Sequence, residues 1–241
     1  DNYESAIGYL SKITVVPDSD SHYFIHLARA LDYAGDFKGA LSILRAARAK
    51  FGADIGVATA LGVELERHGE IDEAVAILRP LLERHSDNVQ AALALAKIEI
   101  DTGSIGKARQ LALQAHAAAP SAFRPLAICI QSDVDVAEGH PEIALARLEK
   151  VSEPEPLVVI AKLEALRAAV LSGSAGDSLF QRAQRFEVPD RYQFNARVQL
   201  SHARLGLALA NQSIWDRAIG NLTRTRLDAT TLSEIQEQWP N

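Results

Sequence analysis

The sequence has no methionine and a single cysteine, Cys129. One thiol cannot close an intrachain disulfide, and small buried thiols are common, so Cys129 is read as a packing or surface residue and not as a reactive group. No apolar run reaches the ~18 residues that a membrane-spanning helix needs, so no transmembrane span is expected; no signal peptide is visible. An overall basic charge is lacking too: 25 Lys and Arg stand against 31 Asp and Glu, a net of -6. With no recognised nucleic-acid motif either, nucleic acid is disfavoured as a ligand.

What the chain does have is a period. Gly35, Gly69 and Gly103 are 34 residues apart, and Ala40, Ala74 and Ala108 follow them at the same spacing. Leu27-Ala28, Leu61-Gly62 and Leu95-Ala96 keep the period, as do Asp36-Phe37, Glu70-Ile71 and Ser104-Ile105. Within one period Ala58, Leu61, Gly62 and Leu65 form a helical apolar stripe, and Ala74, Ile77, Leu78 and Leu81 form another after the glycine. Each unit therefore reads as helix, tight turn, helix. One helical hairpin cannot bury its apolar face alone, so a fixed period of this length implies stacking. The small residues Gly62 and Ala74 fit a close helix–helix approach, where a large side chain would overpack the contact.

At these residues the chain resembles the tetratricopeptide repeat family, whose 34-residue hairpin carries a Leu-Gly pair, a Gly-Asp-aromatic turn and an Ala early in its second helix. The resemblance implies an all-α fold, a right-handed α-solenoid of stacked antiparallel helix pairs. The matched units are 21–54, 55–88 and 89–122, followed by a copy shifted by two residues at Gly139, Pro141, Ala144 and Leu148. Four repeats are thus expected over 21–150 and degenerate ones over 151–227, where Gly173 precedes a short helix and Leu205-Gly206, Trp215 and Ala218 restore the pattern. The first-helix aromatic is Phe24 in one unit but Ala58 and Ala92 in the next two. A change of curvature is expected around Glu153-Pro154-Glu155-Pro156, and Pro17, Pro120 and Pro189 punctuate helix seams.

Residues 1–20 read as the turn and second helix of a truncated repeat, Ala6 lying 34 residues before Ala40. Together with the absence of an initiator methionine, this predicts excision from a longer protein with a further helix upstream. Residues 228–241 read as a terminal helix, a cap or the start of a next region, opened by a capping box at Thr231-Leu232-Ser233-Glu234. The Ala-rich, Lys-poor usage is associated with a bacterial source; cytoplasm and periplasm are not distinguished.

Catalytic signatures do not accumulate. Gly103-Ser104-Ile105-Gly106-Lys107 ends like a phosphate loop, but its glycines are too close and Ala108 stands where a hydroxyl is required, so it is read as a repeat turn. The glycine-rich stretch 172–178 lacks a phosphate-contacting lysine. His22 and His26 have the spacing of a metal pair, yet a third ligand would have to come from Asp18 or Asp20 folding back, so ordinary histidines are preferred. Asn211 and Asn221 open glycosylation sequons that fall in or beside helices. No enzyme activity, cofactor or metal is expected. Charge is uneven: residues 181–227 hold eight Arg, no Lys and three acids, whereas 1–180 hold 17 Lys and Arg against 25 acids. Polyanion binding by the Arg-rich part is one alternative function.

The resemblance also implies a site. First helices of the family line a concave groove for a partner segment, and the matched positions here are His22, Ile25, Arg29, Asp32 and Tyr33, then Thr59, Val63, Glu66 and Arg67, then Gln90, Leu93, Lys97, Ile100 and Asp101, then Leu126, Cys129 and Asp133. Ile25, Val63, Leu93 and Leu126 would give apolar contact while Arg29, Arg67 and Lys97 pair acids, so an amphipathic or acidic protein segment is the expected partner. The carboxylate clamp of chaperone-binding relatives is absent, its positions carrying Ile25, Arg29, Ala60, Gln90 and Ala94. The favoured function is a non-catalytic interaction scaffold. The alternative is an intramolecular or oligomerising region of a larger enzyme or exopolysaccharide-assembly protein, and self-association is left open.

Overall fold

The computed structural model describes residues 3–14, 20–151, 155–173 and 176–239. Asp1, Asn2, Pro17, Asp18, Glu153 and Pro154, on which parts of the sequence reading rest, lie outside these residues. The described residues form fourteen α-helices and no strand: α1 (Tyr3–Thr14), α2 (Ser21–Ala34), α3 (Phe37–Phe51), α4 (Ile55–Arg67), α5 (Ile71–Arg84), α6 (Val89–Asp101), α7 (Ile105–Ala118), α8 (Arg124–Ala137), α9 (Pro141–Leu148), α10 (Pro156–Leu171), α11 (Asp177–Gln184), α12 (Ala196–Ala208), α13 (Gln212–Leu222) and α14 (Ala229–Gln236). They group into two compact units divided at residue 127/128. The first contains α1 to α7 and the second α9 to α14; α8 crosses the division.

The first helices of the three matched repeats begin 34 residues apart because their N-caps do. Asp20, Asp54 and Asn88 accept backbone N–H bonds from His22, Val57 and Ala91 at 3.1, 2.8 and 3.0 Å. Each satisfies a donor that the first helical turn leaves open. The same caps connect neighbouring hairpins: Ser21 Oγ donates to Asp54 Oδ2 at 2.8 Å, and Asn88 Nδ2 donates to Thr59 Oγ1 at 2.8 Å.

Four hairpin turns share one construction. Gly35, Gly69, Gly103 and Gly139 have φ of 98, 75, 78 and 84°, a left-handed conformation that glycine adopts without a Cβ penalty. The following N–H then returns to the carbonyl five residues earlier, as in Asp36 to Leu31 and Glu70 to Leu65, both 2.9 Å. Asn211 closes the last hairpin in the same way on Gly206, but the left-handed residue there is Ala210, at φ 48°. Replacing Ala210 with glycine is expected to raise stability by about 0.5–1 kcal/mol, the relieved strain exceeding the added chain entropy. A urea titration checks this.

Ala210 also corrects the repeat register. Counting from the turn, Ala40, Ala74, Ala108 and Ala144 occupy one slot and all are fully buried; the same slot in the last hairpin holds Trp215, not Ala218. Gly206 likewise falls in the slot of Leu31 and Leu65, and His202 in that of Leu27, Leu61 and Leu95. The sequence alignment on Leu205-Gly206 and Ala218 is therefore three residues out, because this hairpin turns four residues after its glycine instead of seven. Large and small have exchanged sides. A Cβ on Gly206 would lie 2.9 Å from the backbone nitrogen of Trp215, and one on Gly62 would lie 2.5 Å from the Leu78 side chain, so both glycines mark the close approaches of their hairpins.

The terminal helix differs from expectation at its start. Asp228 is the N-cap of α14, accepting from Thr231 N–H at 3.0 Å and Thr231 Oγ1 at 2.8 Å. A carboxylate three residues upstream thus captures the donor, and Thr231 lies inside the helix.

Candidate functional site

The predicted groove residues divide by burial. On α2, His22 and Arg29 are exposed while Ile25 and Tyr33 are half-buried. On α4, Val63 is half-buried; on α6, Gln90 is half-buried, Lys97 and Asp101 are exposed and Ile100 is half-buried. Leu126 and Asp133 are half-buried on α8, on opposite sides of the division between the units.

Five of the positions are buried. Leu93 is 2% exposed. Thr59 is buried, donating to the Ile55 carbonyl at 2.7 Å while accepting from Asn88. Asp32 and Glu66 are buried as well. Cys129 packs with Leu148, Val158 and Ala161, and this burial, with Asp133 and Glu155 adding to it, pushes its thiol well up and leaves it protonated.

Arg67 is drawn into an internal ion pair. Its Nη1 lies 3.2 Å from Asp32 Oδ2 on α2 and 3.5 Å from Glu64 Oε2, and His68 Nε2 is 3.1 Å from the other Glu64 oxygen. The Asp32 side chain is wholly buried. Desolvation lowers the Arg67 pKa, but Asp32 and Glu64, followed by Tyr33 and Glu66, outweigh it and hold the guanidinium above its ordinary value. The cation read as a groove contact is thus consumed inside the protein, tying α2 to α4.

Its sequence trace is slight. Asp32 and Glu66 are 34 apart, three residues before each turn glycine, which marks an acidic slot but not its direction. By contrast, Arg29 and Lys97 are exposed and, among the described residues, neither is held by a carboxylate.

The remaining candidates dissolve into structure. His22 Nδ1 lies 2.9 Å from Asp20 Oδ1, and this bond raises the His22 pKa. Burial, then Arg29 and His22, lowers that of His26. No group of three possible metal-binding side chains comes together among the described residues. Gly103 is the turn residue and Ser104 the N-cap position of α7; the stretch 172–178 has Ser174 and Ala175 outside the described residues. Asn211 caps α13 and Asn221 Nδ2 donates to Gln199 at 3.4 Å.

Three of the arginines of 181–227 have partners within the chain. Arg182 is bonded to Glu149, Arg191 lies over the Tyr192 ring, and Arg204 is 3.9 Å from Glu164.

Residues 59–123 match the family model described as tetratricopeptide repeat. No curated protein matches the chain. Among solved structures, the chain is similar to a tetratricopeptide repeat protein from Parabacteroides merdae, with a TM-score of 0.58 at 13% identity over 99% of this chain and 91% of that one. It is also aligned over 99% of its length with the whole of pilF from Pseudomonas aeruginosa, at 17% identity and a TM-score of 0.48. At these identities the likeness to the first structure is one of fold.

Proposed function

In sequence and in fold the chain resembles the tetratricopeptide repeat family, and from that premise we propose that it is a non-catalytic scaffold binding a protein segment along its first helices. The observation that carries this reading is the face formed by α2, α4 and α6. Ile25, Val63 and Tyr33 are half-buried and Arg29 and Lys97 exposed, and Arg29, Val63 and Lys97 hold the same place in the repeat, six residues before Gly35, Gly69 and Gly103, which supports one shared face. Apolar area with two available cations suits an amphipathic segment with acidic residues, bound in an extended or helical form. Arg67 is outside this contact set because its charge is already neutralised by Asp32 and Glu64.

The test uses the intact chain as bait in an extract of its source cells. An Arg29→Glu/Lys97→Glu variant, first shown by circular dichroism to keep its helices, is expected to lose tenfold or more of the recovered partner, with little change in stability because both residues are exposed. Unchanged recovery would reject these cations as contacts.

A further inference from the structure

His202 lies on α12, is 2% exposed, and neither ring nitrogen has a hydrogen-bond partner among the described residues. By the turn register it stands in the slot that Leu27, Leu61 and Leu95 fill in the repeats of the first unit. Buried polar groups are normally satisfied, so a histidine in a leucine slot needs a reason. Gln131, the polar residue at this slot in the α8–α9 hairpin, shows the contrast: it accepts from Arg147 Nη1 at 3.1 Å, while Arg147 Nε binds Asp135 at 2.8 Å.

The charges around His202 do not favour a proton. On α13, Arg217 acts on the ring and is of the wrong sign, and Asp216 accepts a bond from Gln212 at 2.9 Å. On α10, which also packs against α12, Glu164 is bound through one oxygen by Arg167 at 2.7 Å, its other oxygen lies 3.9 Å from Arg204 without a hydrogen bond, and Lys162 is the other ionisable group. Arg197 and Arg204, on α12 itself, are cationic.

We propose that the α12–α13 hairpin is a pH-responsive element, closed while His202 is neutral and driven to loosen when its ring takes up a proton. A charged imidazolium in this slot has neither nitrogen hydrogen-bonded and lies under the influence of a like charge, so it gains solvation by leaving the interior. The sign follows from linkage. A solvated histidine titrates near 6.5, at its ordinary value, whereas burial, reinforced by Arg217, pushes His202 down to about 4. The loosened state therefore binds more protons in this window. The advantage of the closed hairpin is complete above about pH 6.5 and is lost progressively as pH falls towards 4.

The chain carries its own reporter. Its two tryptophans are Trp215, buried on α13, and Trp239 beyond α14, with ring centroids 5.3 Å apart. Tryptophan emission of the intact chain is followed from pH 7.5 to 4.5 at constant ionic strength, with far-ultraviolet circular dichroism in parallel. The expected result is a reversible red shift of emission with most helical signal retained. In His202→Leu, which installs the residue of the equivalent slots, the shift disappears or its onset moves down by at least one pH unit. His202→Gln, which cannot titrate, serves the same purpose if the leucine variant does not fold. Arg217→Gln weakens the response and moves its onset downward, because without the like charge the closed hairpin tolerates the proton better and the difference that drives loosening narrows. No shift in the unaltered chain, or an unchanged profile in both His202 variants, overturns the proposal; carboxylate titration would then account for any acid response.

Discussion

Replacing Asp32 with alanine is expected to destabilise the protein by about 3–5 kcal/mol, the magnitude seen when one partner of a buried ion pair is removed. Asp32 is wholly buried and accepts the Arg67 guanidinium at 3.2 Å. Without it, Arg67 keeps a charge that is four-fifths enclosed and leans on Glu64, at 3.5 Å, which His68 also engages, and on the weaker pull of Tyr33 and Glu66. Arg67→Ala leaves two buried carboxylates close together and is expected to be comparably severe. The double replacement Asp32→Leu/Arg67→Met is expected to recover most of the loss, since apolar residues of similar volume can replace a buried pair at little net cost. Urea titrations followed by circular dichroism measure all three. A loss below about 1 kcal/mol in Asp32→Ala would indicate a pair as weak as an exposed one and would contradict this burial.

Trp215→Ala is expected to cost about 3–5 kcal/mol, although alanine is what every matched hairpin carries in this slot. Ala74 is buried beneath a hairpin whose first helix supplies Leu65; Trp215 is buried beneath one that supplies Gly206. Truncating it empties the space that the indole fills and removes its contact with Trp239. Gly206→Ala is not expected to compensate. The new Cβ would meet the Trp215 backbone nitrogen at 2.9 Å, and that atom stays when the indole is removed, so the double variant should be no more stable than Trp215→Ala. Thermal melts of both single variants and of the pair decide this: a double variant regaining stability would show that the helices separate more readily than this geometry implies.

Much of the architecture was legible because the repeat is written in residues that backbone geometry requires. A left-handed turn selects glycine at 35, 69 and 103, and a close approach selects alanine at 40, 74 and 108; in the structure α2, α4 and α6 begin at the expected residues 21, 55 and 89. The caps Asp20, Asp54 and Asn88 carry the same period and were available to a reader attending to polar residues. The candidate site was less legible. Matching to the family's groove positions selects Thr59, Arg67 and Leu93, but how far the neighbouring hairpin covers each of them is not written in one repeat, and periodicity within one helix contains no information about its neighbour.

The last hairpin makes the same point through its register. Leu205-Gly206 and Ala218 reproduce the spacing of Leu61-Gly62 and Ala74, but the chain turns at Ala210 because Asn211 can cap α13 there, accepting from Ile214 N–H at 3.2 Å.

The sequence by itself determined that the protein is a series of helical hairpins and where most of them begin and turn, since turns, caps and apolar stripes are local requirements met within a few residues. Only the tertiary structure decided that Arg67 is spent on Asp32, that Trp215 lies opposite a glycine and that His202 occupies a leucine's place. Those outcomes depend on what a second helix brings to the contact, and solvent exclusion and charge pairing are properties of both surfaces together.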